Sequence, residues 1–220
     1  MKPVKQIKIS GNLKVNDLIK EMANVGVMGS GNLGKAVDAL ELMINDKEYK
    51  VFFGVAGAMI PGGMQNVIID FLDNKYVDVF VTTGAMLTHD LVEGLGYNHI
   101  QGNEKMDDAE LNKKGLVRMY DSLMQNSVYE RLEVFFEDNF EELSKAKNIK
   151  EFLNILGKVS PENTVLHTCY KNKIPIYCPA IADSGIGLMI WGKLAKGMKI
   201  NIDAFDDLKE ILDTAWTSKK

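Results

Sequence analysis

Three short stretches carry the small, hydroxyl and acidic residues that a ligand site needs. The first runs from Gly54 to Gly63 and contains Gly57-Ala58-Met59-Ile60-Pro61; the second is Thr82-Thr83-Gly84-Ala85; the third is Asp183-Ser184-Gly185. Each follows an apolar run of strand type and precedes a helical pattern. Small residues let a ligand approach the backbone, and the free N–H groups and positive pole of a following helix favour phosphate. A tight strand–helix turn with no ligand would use the same residues as the first stretch. Asp183 could bond a ribose hydroxyl or a substrate amine, or it could simply cap a helix. His89-Asp90 follows the second stretch and could face the same place.

Other constellations are weaker. Gly29-Ser30-Gly31-Asn32-Leu33-Gly34 fits the dinucleotide pattern G-x-G-x-x-G, but that pattern requires a strand just before it and Met22–Val27 offers little of one. A flexible turn is the expected role. His167-x-Cys169 with Cys178 lacks a fourth metal ligand and a CxxC knuckle. Ser184 with His89 lacks the G-x-S-x-G elbow of a hydrolase. The two cysteines make no disulfide framework and read as small buried hydrophobes.

The elements that must position these residues follow from periodicity. Val15, Leu18, Ile19 and Met22 predict a short helix, broken at Gly26–Gly34. Leu33, Ala36, Val37, Leu40, Met43 and Ile44 predict a second helix. Val51–Val55 is apolar throughout, as a strand buried on both faces is, and Val77–Val81 reads as the next strand. Pro61 is suited to open a helix carrying Met64, Val67, Ile68, Phe71 and Leu72. A further helix is expected from about Thr88 to Leu95. Residues 107–156 read as a charged, mostly helical insertion, 161–172 as a helix and Ile174–Cys178 as a strand. A last helix, capped by Asp203, has Phe205, Leu208, Ile211, Leu212 and Ala215 on one face. Strands alternating with helices predict an α/β fold with a parallel sheet flanked by helices, Rossmann-like, in one domain over 1–220. Ligands of such sheets sit outside the carboxyl ends of the strands.

Composition bounds the function class. The chain has 220 residues, 46% hydrophobic and 25% charged, with a net charge of −4, the balance of a globular protein. Without a basic block, nucleic acid is not an expected partner. No apolar run is long enough for a bilayer, and Met1–Ser10 lacks a signal-peptide core, so a cytoplasmic protein is expected.

Read together, Val51–Met64, Val77–Asp90, Gly96–Gly102 and Ile174–Gly187 resemble the deoxyhypusine synthase family, in the family's order, over nearly the whole chain from about Leu18. The resemblance implies a parallel-sheet α/β fold and an oligomer, with NAD and spermidine held where subunits meet. It also implies hydride transfer from spermidine to NAD. The aminobutyl group is then carried on a lysine and passed to the hypusine-bearing translation initiation factor. By motif, Gly57, Ala58, Met59, Ile60 and Pro61 would line the NAD phosphates. Thr83, Gly84 and Ala85 would follow the cofactor, and Asp183 would hold its ribose.

Three positions depart from the family pattern. Thr88 and His89 stand where eukaryotic members carry acidic residues near the polyamine. Leu188 stands where a eukaryotic enzyme has a spermidine-binding aspartate. The family's segment resembling Glu-Ala-x-Ser-Trp-Gly-Lys, whose lysine is the nucleophile, is expected beyond the last helix. Trp191-Gly192-Lys193 copies only three of its letters, in a different place, and Lys193 is the sole candidate here. The expectation is therefore a subunit or fragment that needs a second chain for the lysine. A non-catalytic regulatory paralogue or a homospermidine synthase-like enzyme are the alternatives.

Overall fold

The computed structural model describes residues 2–220. The chain divides into two compact units: residues up to Lys50 together with Ser218–Lys220, and Val51–Thr217, where the sequence reading has a single domain. Among the described residues no helix is long and apolar enough to cross a membrane.

The first unit is a helical hairpin of α1 (Val15–Val25) and α2 (Met28–Asn45). Gly26 ends α1 with φ +73°, a conformation that glycine adopts without strain. The expected turn at Gly26–Gly34 is corrected: Gly29, Gly31 and Gly34 lie in the first turns of α2. A Cβ on Gly31 would lie 2.5 Å from the Gly26 carbonyl carbon, and one on Gly34 would lie 2.3 Å from the Ala23 Cβ. Gly31 and Gly34 therefore serve close helix packing. A helix, not a strand, precedes them, so the dinucleotide pattern lacks its structural context.

The second unit is built on three parallel strands in the order β1-β2-β6: β1 (Phe52–Val55), β2 (Val79–Thr82) and β6 (Ile176–Tyr177). Phe53 pairs with Phe80, and Phe80 with Ile176. The sheet is flanked by helices, as expected. Between β1 and β2 lies α3 (Gln65–Asp73); after β2 come α4 (Gly84–Gly94), α7 (Ile149–Val159) and α8 (Val165–Asn172). Phe80, Leu87, Leu91, Leu153, Leu156 and Val165 are fully buried between these layers.

Buried Asp90 joins three helices. Its carboxylate accepts from the Gln65 side chain at 2.8 Å and from the backbone N–H groups of Val165 at 2.8 Å and Leu166 at 3.0 Å. Thr164 accepts from His167 N at 3.0 Å. Together they satisfy the otherwise unpaired N–H groups of the first turn of α8 and place a carboxyl group at its positive pole.

Several elements differ from expectation. The helix expected to open at Pro61 begins at Gln65, because residues 58–64 form successive turns closed by Gly62 N to Ala58 O at 2.8 Å and Met64 N to Met59 O at 3.0 Å. The helix expected from Thr88 starts at Gly84, directly at the strand end. Residues 107–156 contain α5 (Asp108–Lys113), α6 (Val128–Leu143) and the start of α7, but also a hairpin of β4 (Leu116–Met119) and β5 (Ser122–Gln125). With β3 (Ile100–Gln101) this hairpin makes a separate antiparallel sheet, in the order β3-β5-β4. In α10 (Ala204–Thr217), Asp203 caps as expected, accepting from Phe205 N at 2.8 Å. The expected apolar face does not meet the core: Phe205 is 80% exposed, whereas Asp207 is buried against the start of α7 and accepts from Lys150 N at 2.7 Å.

Candidate functional site

The carboxyl edge of the parallel sheet brings the three chemical stretches together. Thr82 Oγ1 donates to the Val55 carbonyl at 2.7 Å, tying the ends of β1 and β2. Thr83 caps α4 by accepting from Met86 N at 3.3 Å. After β6 the chain turns through Pro179–Asp183 into α9 (Gly185–Ala195). Ser184, not Asp183, caps α9: its hydroxyl donates to Ile181 O at 2.6 Å and accepts from Gly187 N at 3.1 Å.

The starts of α4 and α9 touch. A Cβ on Gly84 would lie 2.4 Å from Ser184 Oγ, and one on Gly185 would lie 2.6 Å from Thr88 Cγ2. Thr88 is buried here; its hydroxyl donates to Gly84 O at 2.8 Å and accepts from Ile186 N at 3.2 Å. Thr88 thus fastens α4 to α9, with its hydroxyl spent on the two backbones.

Exposure sorts the remaining predicted residues. Gly57, Ala58, Met59, Ala85 and Asp183 are exposed, Pro61 and Thr83 are half-buried, and Ile60 and Gly84 are buried. Gly57 has φ +68°, and no atom lies within 4 Å of where its Cβ would be. Past β1 the backbone is therefore open to close approach. The Asp183 carboxylate, released from capping, stands exposed past β6.

His89 sits on the face of α4 that also carries Ala85, one turn further along. Its Nδ1 lies 2.9 Å from Nε2 of His99, and His99 Nδ1 lies 2.5 Å from Glu93 Oε1. Burial lowers the His89 imidazole to about 4, assisted by His99 and opposed by Glu93. His99 occupies its place because it immediately precedes β3, which pairs through Ile100 with Leu123 of β5. The sequence reading gave His99 and Glu93 no role; the only hint was a histidine inside the glycine-bounded segment 96–102.

A groove of about 650 Å³ opens beside the β6 end, lined by Ile181, Ile186, Leu188, Ile190, Trp191 and Leu194 among others. No charged side chain lines it. Leu188 is 59% exposed on its wall. Lys193, also on α9, does not line the groove; it is buried, with its ammonium against Glu137 of α6. It stands eight residues into the helix, roughly 12 Å along the axis from the Gly185 end. Cys169 and Cys178 are buried, and burial raises the Cys178 thiol to about 12, so neither is poised as a nucleophile.

Comparisons with known proteins agree with this architecture. The sequence profile of the deoxyhypusine synthase family matches residues 17–220. A Methanosarcina thermophila protein named "Probable deoxyhypusine synthase" is 36% identical over 219 residues, which cover 99% of this chain and 68% of the relative. A Methanothermobacter thermautotrophicus protein of the same name is 31% identical over 221 residues, covering 99% of this chain and 71% of the relative. A crystal structure of a deoxyhypusine synthase homologue from Entamoeba histolytica superposes with a TM-score of 0.67 over 98% of this chain and 78% of that one; at 19% identity this likeness concerns the fold. With the profile matched over most of the chain and relatives above 30% identity along its length, the chain belongs to the deoxyhypusine synthase family.

Proposed function

We propose that this chain binds NAD and spermidine at the carboxyl edge of its parallel sheet and takes part in NAD-dependent transfer of an aminobutyl group to a lysine of the hypusine-bearing translation initiation factor. The observation that carries this reading is the exposed Asp183 carboxylate, left free by the Ser184 cap beside the starts of two helices. The residues fit a dinucleotide. The open backbone at Gly57 admits a phosphate, the α4 start at Thr83–Ala85 lies next along the edge, and Asp183 can accept from ribose hydroxyls. NAD bound there supplies a hydride acceptor.

Binding of the amine falls to His89. The Thr88 hydroxyl is engaged between α4 and α9, and Leu188 offers only apolar contact, which suits methylene groups. An imidazole held neutral by burial accepts a hydrogen bond from an amine N–H without the charge attraction of a carboxylate. We assign the nucleophilic role to a lysine outside these 220 residues, on this polypeptide or another, because Lys193 faces α6 and not the sheet edge. Cytoplasmic location and an oligomer, with itself or with a chain bearing that lysine, follow from the family reading.

The position of Lys193 also favours a second reading, a non-catalytic subunit that regulates an active synthase. Intact-mass spectrometry after incubation with NAD and spermidine and borohydride trapping separates them. An aminobutyl adduct appearing only when a lysine-bearing partner is added supports the first reading. NAD binding without any adduct under either condition supports the second, and an adduct on Lys193 of this chain alone overturns the assignment of the nucleophile. Supplying a small amine in place of the translation factor tests for homospermidine formation.

A further inference from the structure

His89, His99 and Glu93 form a hydrogen-bonded series whose proton positions can be worked out. Glu93 Oε1 accepts the backbone N–H of His99 at 2.9 Å and meets ring Nδ1 at 2.5 Å. A carboxylate only accepts, so His99 Nδ1 carries a proton. In a neutral ring, Nε2 then holds a lone pair, and it lies 2.9 Å from His89 Nδ1. His89 must donate from Nδ1, which leaves the lone pair on its Nε2. These positions are assigned from the network of partners. His89 is half-buried, so its ring is not sealed from solvent. Helix side chains lean toward the N-terminus, which carries the His89 ring toward Ala85 and the end of β2.

We propose that His89 is the proton acceptor for the amine at this site, and that His99 and Glu93 are positioning residues that fix its tautomer and take up the resulting charge. The inference rests on the amine-oxidising reading above. When a secondary ammonium is oxidised to an iminium, the adjacent carbon loses a hydride, which passes to the nicotinamide cofactor. The nitrogen loses one proton. That N–H bond breaks as a bond forms to His89 Nε2, and the Nδ1 proton of His89 moves to His99 Nε2. The gained charge then rests on His99, with Glu93 beside it.

The relay explains how a buried imidazole can accept a proton. His89 alone is a poor base, held at about 4 by its surroundings. Moving the charge to His99 places it against the carboxylate, whose side chain is 23% exposed while that of His99 is 5% exposed. His99 and Glu93 are the charged or titratable neighbours that act on His89. The second sheet has a part here: pairing of Ile100 with Leu123 and of Gln101 with Ser122 fixes the strand that His99 precedes.

The test is nitrogen-15 NMR of the imidazoles in the full chain, as wild type, Glu93→Gln and His99→Phe. His89 is expected in the Nδ1-protonated tautomer in the wild type and to lose it in His99→Phe. Glu93→Gln keeps an acceptor oxygen, so the tautomer should persist in that variant. A wild-type His89 protonated on Nε2 at neutral pH, or a His99→Phe chain in which His89 keeps its Nδ1 proton, overturns the relay. In parallel, spermidine-dependent reduction of NAD should slow by about 100-fold in Glu93→Gln with KM little changed, and its acid limb should shift. An unmoved rate and pH profile would sink the positioning role. If the wild-type chain neither binds NAD nor reduces it, the amine-oxidising reading fails and the proton-acceptor role falls with it, while the NMR result still decides whether the relay exists.

Discussion

Gly84 and Ser184 stand so close that a Cβ on the glycine would lie 2.4 Å from the serine oxygen and 3.1 Å from the Ile181 carbonyl oxygen. This contact joins the exits of β2 and β6 and sets the spacing of α4 and α9. Gly84→Ala must push the two helix starts apart. A loss of about 1–3 kcal/mol is expected, from overpacking of a tight contact. Ser184→Gly removes the obstructing side chain and costs only a few tenths through the lost cap. The double variant should therefore recover much of the loss, and denaturant unfolding of the four chains measures that coupling. Additive effects would mean that the contact does not set the spacing.

Asp183→Ala is expected to leave stability unchanged, because Asp183 is exposed and Ser184 supplies the cap. NAD affinity should fall by about tenfold to a hundredfold, the effect of losing a hydrogen bond to a charged acceptor. Calorimetric titration checks both. An unaltered affinity would move the ribose away from this carboxylate.

Asp90 makes stability depend on pH. Burial raises its carboxyl to about 6, with three donors opposing the rise. The folded state therefore binds the proton more tightly than the unfolded chain, whose value is near 3.8. The stability gained from that proton is fully present below about pH 4 and is lost as pH rises through about 6. Relative to Asp90→Asn, which cannot titrate, the wild type should lose on the order of 2–3 kcal/mol across that interval. Urea unfolding at successive pH values gives the difference directly, and a constant difference would place the group's titration elsewhere.

Lys193→Met should fold with stability equal to or above wild type, since an apolar replacement avoids burying an ammonium and leaves Glu137 largely exposed. In the trapping experiment with a lysine-bearing partner, adduct yield should be unchanged. Loss of the adduct in a folded Lys193→Met chain would make Lys193 the nucleophile after all.

The parallel sheet and the sheet-edge stretches were legible because the evidence for them is local. Val51–Val55 is an unbroken apolar run, Val77–Val81 is apolar except for Asp78, and each ends on small or hydroxyl residues. The hairpin at 116–125 was missed because its turn residues, Tyr120 and Asp121, are not the Asn-Gly or Asp-Gly pair that announces such turns, although Tyr120 takes φ +60°. Gly29–Gly34 misled for the opposite reason. Its spacing fits a ligand loop, whereas Gly31 and Gly34 answer to the closeness of Gly26 and Ala23, five and eleven residues away along the chain but unseen in one dimension. Asp183 and Ser184 are adjacent, and only geometry decided which of them caps. The meeting of His89, His99 and Glu93 depends on β3 pairing with β5, a contact between segments more than twenty residues apart.

The parallel register of Phe80 with Ile176 sets a schedule for synthesis. One edge of β2 is satisfied by β1 soon after it leaves the ribosome, but the other waits for a strand about 100 residues downstream. At roughly 5–20 residues per second that is a delay of about 5–20 s. During it, the apolar face around Phe80 and Leu87 lacks its final cover, and the starts of α4 and α9 cannot meet. A nascent chain paused before residue 176 would be the form most exposed to aggregation and most in need of a chaperone.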